Sequence, residues 1–171
     1  MPIIIKGQDG DFQPAPPGLH QAVCVDVVDL GMQDTKYGRK RQLKIVWQLK
    51  SKNEKGERFQ VRGTYTQSLH EKSRLRHDLE TWRGKPFKDS DLREFDVEKL
   101  IGANCQIQVI HRVSAQGRTY GNAQAIVPIS HEMTSLKPEN YEREPWPEQD
   151  DMIEGGTSDV AADVADDDIP F

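Results

Sequence analysis

The chain has 171 residues, of which 30% are charged and 35% hydrophobic, and its formal net charge is −5. That length allows one domain plus tails, or at most two small domains; the hydrophobic share is low for a wholly globular chain and suggests a sizeable unstructured segment, and no apolar run approaches the length needed to span a bilayer. The charge is divided: residues 132–171 hold 13 acidic and two basic side chains, a net of −11, whereas residues 1–131 hold 21 basic and 15 acidic ones, a net of +6. A basic body suits a polyanion, and an acidic tail is a plausible intramolecular competitor for the same surface.

Residues 1–17 read as a leader, with Pro14, Pro16 and Pro17 resisting regular structure and no signal peptide in MPIIIKGQDGDF. Leu19 to Leu30 is rich in β-branched residues and apolar on both faces, Val23, Val25 and Val27 on one and Ala22, Cys24 and Val28 on the other, which predicts a long, bent strand. Gly31 to Arg41 reads as a loop carrying Lys36, Tyr37, Arg39, Lys40 and Arg41. The next run alternates, with Leu43, Ile45, Trp47 and Leu49 against Gln42, Lys44, Gln48 and Lys50, so a half-buried strand with a basic outer face is expected. NEKG, residues 53–56, is a hairpin turn, and Arg58 to Thr66 returns as a third strand.

Ser68 and Glu71 have the spacing of a capping box, and Gly84 stands where a helix would end; between them Leu75, Leu79 and Trp82 form one apolar stripe. After a proline-containing connection, Asp96 is placed to cap a short turn ending at Gly102. Asn104 to Val113 and Arg118 to Ile129 complete the set as strands four and five, joined by a turn at Ser114 to Gly117. From Ser130 onward prolines punctuate a polar linker, and beyond Met152 the composition predicts disorder.

Three strands, a helix and two strands is the element order of an OB-fold: a mainly β, five-stranded barrel with one helix between strands three and four, here followed by a disordered acidic tail. The expected division is a leader at 1–17, an OB-fold nucleic-acid-binding domain at 18–131, and an acidic linker and protein-interaction tail at 132–171. OB-folds hold oligonucleotides across strands two and three and between the loops joining strands one to two and four to five. Those places carry the basic and aromatic residues Lys36, Tyr37, Arg39, Lys40, Arg41, Lys44, Gln48, Arg62, Tyr65, Arg112, Arg118 and Tyr120. Cations neutralise phosphates and aromatic faces stack bases irrespective of sequence, which is what DNA binding without base readout requires. Trp47 and Trp82 fall on apolar faces and read as core. Tyr37 has no apolar period to claim it and reads as a stacking residue, while Tyr65 and Tyr120 fit either role. The basic residues flanking the Leu75 stripe read as solvating the helix.

No catalytic constellation stands out. Asp89, Asp91, Asp96 and Glu98 are the densest acidic group of the body, with Asp89 and Asp96 better placed as turn or cap residues than as metal ligands. The five histidines show no ligand spacing with Cys24 or Cys105, and two cysteines set up neither a disulfide framework nor a zinc site. No phosphate-cradling glycine loop is present. The expectation is a chain without enzyme activity, cofactor or metal.

The chain ends Asp166, Asp167, Asp168, Ile169, Pro170, Phe171: three carboxylates, then two apolar side chains around a proline that holds them extended as a hydrophobic hook. This ending resembles the C-terminal tip of bacterial single-stranded DNA-binding proteins, where the same acidic run closes on Ile-Pro-Phe. In that family the tip binds replication, recombination and repair enzymes rather than DNA, and the resemblance implies that role here. The run TQSLHEKSRLRHDLETWRGKPF is similar to a helix of phage-encoded proteins of this functional class, implying a phage or prophage origin. Together these readings give a single-stranded DNA-binding protein of the bacterial cytoplasm, in the host cell if phage-encoded, acting in DNA replication, recombination and repair. Its partners would be single-stranded DNA and host enzymes, with no membrane; a homo-oligomer is compatible with the reading. Two alternatives stay open: an adaptor or decoy that docks on host enzymes through its tail, and a small nuclease or resolvase.

Overall fold

Alternation of apolar side chains through three early and two late segments builds an antiparallel sheet of five strands. The computed structural model describes residues 14–144. The strands are β1 (Gly18–Thr35), β2 (Gly38–Lys52), β3 (Arg58–Thr66), β4 (Asn104–Val113) and β5 (Thr119–Val127), in the sheet order β3-β2-β1-β4-β5. β1 is shared by the two halves: Gly18 to Val23 pair with β4, and Ala22 to Thr35 pair with β2. The edge strands β3 and β5 approach each other, but no ladder joins them among the described residues, so the barrel expected from the element order is not closed by hydrogen bonds.

Two bulges in β1, between Cys24 and Asp26 and between Asp29 and Gly31, explain its length and its two apolar faces. An inserted residue shifts the alternation by one. Ala22 and Cys24 therefore face the main core together with Val27, while Val23 and Val25 join Val46 in a second apolar cluster on the other side of the sheet. Period-two counting places Val27 with Val23 and Val25; the bulge is the reason it does not stay there.

α1 (Arg74–Arg83) starts later than the Ser68 box predicts. Ser73 is its N-cap, its hydroxyl accepting from the Arg76 amide at 3.1 Å. Ser68 closes a turn instead, its carbonyl accepting from the Ser73 hydroxyl at 2.7 Å and its hydroxyl from the His70 amide. An earlier turn of helix would add no buried side chain to the stripe, and packing of that stripe is what sustains a short helix. The other end is as expected, with Gly84 at φ +78° closing onto the Glu80 carbonyl. Leu75, Leu79 and Trp82 are all buried; the Trp82 ring lies 5.9 Å from that of Trp47, and its N–H donates to the Asn104 carbonyl at 2.9 Å. Each such large side chain removed from water contributes ~1.5–3 kcal/mol.

The connection to β4 holds a short helix that sequence periodicity misses, α2 (Asp89–Arg93), and a 3-10 turn at Val97–Leu100 whose Glu98 amide is capped by the Asp96 side chain, as predicted. Asp91 accepts from the Lys88 amide and pairs with Arg83 at 3.2 Å.

Beyond β5 the described residues stay against the body. Residues 134–144 lie as a strap against the second apolar cluster, with Leu136 and Tyr141 packed on Val23, Val25 and Val46. A division after residue 131 thus falls inside a packed unit. The leader boundary likewise has packed residues before it: Ala15 is buried and its carbonyl meets His111 Nε2 at 2.7 Å.

Candidate nucleic-acid interface

The first group of predicted residues stands on a ribbon. Asp34 pairs with Arg39 and Gln33 with Lys40 in the ladder, so the expected loop of residues 31–41 is a continuation of β1 and β2 that closes in a tight turn at Lys36 and Tyr37. Polar residues suit a two-stranded extension that is wet on both faces, and apolar periodicity has no purchase there. The turn is fixed by Thr35, whose hydroxyl donates to the Gly38 carbonyl at 2.7 Å and accepts from the Tyr37 amide at 3.1 Å, with Gly38 at φ +101°. Tyr37 is 78% exposed, the most solvent-facing of the large apolar side chains described, and the Lys36 ammonium lies 5.1 Å from its ring centroid. Arg39 pairs with Asp34 at 3.5 Å in full solvent, a contact worth little. Arg41 serves the ribbon's base: it pairs with Asp29 at 2.8 Å, and Asp29 also accepts from the Gly31 amide and Gln67.

The second group, on the outward face of β2 and β3, lies under the strap. Both amide atoms of Gln48 are engaged by the Glu139 backbone, Nε2 donating at 2.6 Å and Oε1 accepting at 2.8 Å, and Gln48 is buried. The Glu139 carboxylate pairs with Arg58 at 2.8 Å and Lys52 at 3.3 Å. Five residues on, Glu144 pairs with Lys44 and, at 3.5 Å, with Arg62. Between these two clamps the strap is pinned to Asp26, which accepts from Tyr141 Oη at 2.9 Å, Arg143 Nε at 3.0 Å and the Glu144 amide at 2.8 Å. Burial pushes the Asp26 carboxyl up, but the hydrogen bonds from the Glu144 amide, Arg143 and Tyr141 outweigh it and hold the group below its ordinary value. Burial and the bond to Asp26 push the Tyr141 hydroxyl well above its own.

The third group borders a cleft between α1 and β5 of about 490 Å³. Arg112 and Tyr120 are ladder partners across β4 and β5, and both reach it. Arg74 and His77 face them from the helix. Asp78, buried at the cleft's edge, accepts from Tyr65 Oη at 2.7 Å and pairs with Arg74 at 3.6 Å. Arg118 stands in the β4–β5 turn, its amide donating to Ser114 Oγ at 3.2 Å.

The predicted residues thus fall in three places rather than on one face. Tyr65 belongs to none of them: it is buried in the main core, where burial and Asp78 push its hydroxyl well up, and its ring offers no surface to a base. Sequence reading missed Arg74 as a lining residue and missed the strap entirely. One signal was available, namely Tyr141 and Arg143 standing among acidic and proline residues that alone would read as linker. Among the described residues no group of three or more His, Cys, Asp or Glu is placed to hold a metal ion, and no helix is long and apolar enough to cross a membrane. Burial pushes the Cys24 thiol up to about 12 and raises that of Cys105, so both are unreactive core residues. No protein-family model matches the chain, and no curated protein matches it.

Proposed function

We propose that this protein binds single-stranded DNA without sequence preference through an OB-fold-like body, has no enzymatic role, and recruits replication, recombination or repair proteins through its C-terminal tip. The observation that carries the first part is the β1–β2 ribbon. Its tip presents Tyr37 in solvent between Lys36 and the pair Arg39 and Lys40, the aromatic-and-cation interleaving that holds bases and phosphates without reading their identity. The sheet order and the placement of a helix between β3 and β4 support an OB-fold, in which this hairpin flanks the strand path. The recruitment half rests on Asp166 to Phe171 and their resemblance to the bacterial tip; these six positions lie outside the described residues. A phage origin and action in the bacterial cytoplasm follow from the same resemblances.

Titration of the full chain against labelled oligo-dT, oligo-dA and a duplex at two salt concentrations tests the body. The expected result is binding to both single strands, weaker to duplex, and falling as salt rises because phosphate neutralisation dominates. Absence of salt-sensitive binding to every single strand overturns the reading and leaves the adaptor, which needs only the tail. Phe171→Ala tests the tip: the affinity for DNA should stay, since every carboxylate remains, while capture of a replication or repair protein is lost with the aromatic anchor.

A further inference from the structure

The cleft between α1 and β5 has the volume of a small-ligand pocket, about 490 Å³ against the ~300–1,000 Å³ typical of such sites. Its polar groups are not those of a solvated helix face. Arg112 and Tyr120, opposite each other in the ladder, leave the sheet side by side on one face. Asn122 and Gln124 continue along β5 from Tyr120 and line the same cleft, and Arg74 closes it from the helix. The one carboxylate in the lining, Asp78, is already held by Tyr65 and Arg74, so the two guanidinium groups together leave the opening one positive charge in excess. Arg112 donates only to the Gln124 side chain, at 3.3 Å, and has no carboxylate partner among the described residues. Tyr120 is one of the few large apolar side chains left exposed.

We propose that this cleft is a nucleotide subsite of the strand path: the Tyr120 ring stacks on one base, Arg74 and Arg112 take the phosphates on either side, and the amides of Asn122 and Gln124 meet the base edge. An amide offers both donors and acceptors, so it accommodates any base rather than selecting one. The assignment rests on the single-strand-binding reading and extends it, moving the path from the outward face of β2 and β3, where Lys44, Lys52, Arg58 and Arg62 are paired with the strap, to the opposite edge of the sheet. A free nucleotide and a nucleotide within a strand share this chemistry.

The test uses the full chain and fluorescent oligo-dT. Tyr120→Ala and Arg112→Ala should each weaken binding about tenfold at fixed salt, whereas Arg62→Ala should change it less than about twofold. Thymidine monophosphate should displace the strand at concentrations where inorganic phosphate does not; equal displacement by phosphate means a general anion site and overturns the nucleotide assignment. Crosslinking of an iodouracil-substituted oligonucleotide to the unaltered chain avoids any question of variant folding, and an adduct at Tyr120 is expected. If the wild-type chain binds strands and Tyr37→Ala weakens it, yet both cleft variants bind normally and adducts are confined to Tyr37, the cleft assignment falls alone. If the wild-type chain binds no strand at any salt, the cleft and the single-strand-binding reading fall together.

Discussion

The outward face of β2 and β3 and the β1–β2 ribbon are built from the same residue types and grow out of the same strands. On the face, the cations meet Glu139 and Glu144 of the strap, and Gln48 is buried beneath it. On the ribbon, Lys36, Tyr37, Arg39 and Lys40 stand in solvent, where Asp34 pairs with Arg39 and Lys36 lies over the Tyr37 ring. The difference shows that charge on a strand's outer face does not by itself make a binding surface, since a later acidic segment of the same chain can occupy it. Two apolar side chains and one buried carboxylate decide which face is covered: Leu136 and Tyr141 seal Val23, Val25 and Val46, and Asp26 holds Tyr141, Arg143 and the Glu144 amide in place.

The substitution that breaks the comparison most strongly is Asp26→Ala. It removes the acceptor of three hydrogen bonds, one of them to a guanidinium, at a site with no solvent to replace it. A loss of about 2–4 kcal/mol in chemical denaturation is expected, with faster hydrogen exchange at the strap amides of Leu136, Glu139 and Glu144. Asp26→Asn should cost less, because the shape and one acceptor remain. Full stability in Asp26→Ala would mean that the strap is held by its apolar contacts alone.

Acid should act through the same carboxylate. Its folded value lies below the ordinary one, so its contribution is fully present above the unfolded value of ~3.9 and is lost as pH falls through the folded value. Opening of the strap, read as exchange relative to the intrinsic rate at each pH, should therefore be flat from neutrality to about pH 5 and rise only in strong acid. A rise between pH 5 and 7 would point to a different titrating group.

On the ribbon, Tyr37→Ala should weaken single-strand binding by roughly 1–3 kcal/mol and leave stability unchanged, because the ring is exposed and, among the described residues, meets Lys36 alone. Arg39 and Lys40 changed together to Ala should flatten the dependence of affinity on salt by about two counterions. Unchanged affinity in Tyr37→Ala would make it an ordinary turn residue.

How far these surfaces were legible in the sequence follows from what each depends on. Strand alternation gave β3 and β4 their limits, and the Leu75 stripe and Gly84 located the helix, because burial and left-handed backbone are local demands that local residues answer. The bulge at Cys24 to Asp26 was not legible, since an inserted residue leaves β-branched composition unaltered. Nor was the strap. Its partners lie up to 118 positions away, as between Asp26 and Glu144, and its own composition, with one proline and three carboxylates in eleven residues, is that of a solvated linker. Tyr65 fits either role by sequence and is expected among the DNA-binding residues; it is core instead, its hydroxyl reconciled with burial by Asp78, thirteen residues on, which sequence spacing does not reveal.

The smallest expected effect lies where strap and strand chemistry meet. Glu144→Gln keeps the backbone amide on Asp26 and so should keep the strap in place, while it removes the charge that pairs with Lys44 and Arg62. Partly exposed pairs of this kind are worth ~0–1 kcal/mol, so stability should barely move. The two cations become available to phosphate at the edge of the covered face, and single-strand affinity should rise no more than a few-fold, and only at low salt, where the attraction is least screened. Truncation after residue 144 should act in the same direction by removing nine acidic residues, three in the tip and six ahead of it, whereas truncation after residue 131 removes the strap, exposes Val23, Val25 and Val46, and should destabilise the body instead. A chain cut at 131 that is as stable as one cut at 144 would show that the strap adds nothing to the fold, and the covered face would then have to be counted with the ribbon as open to the strand.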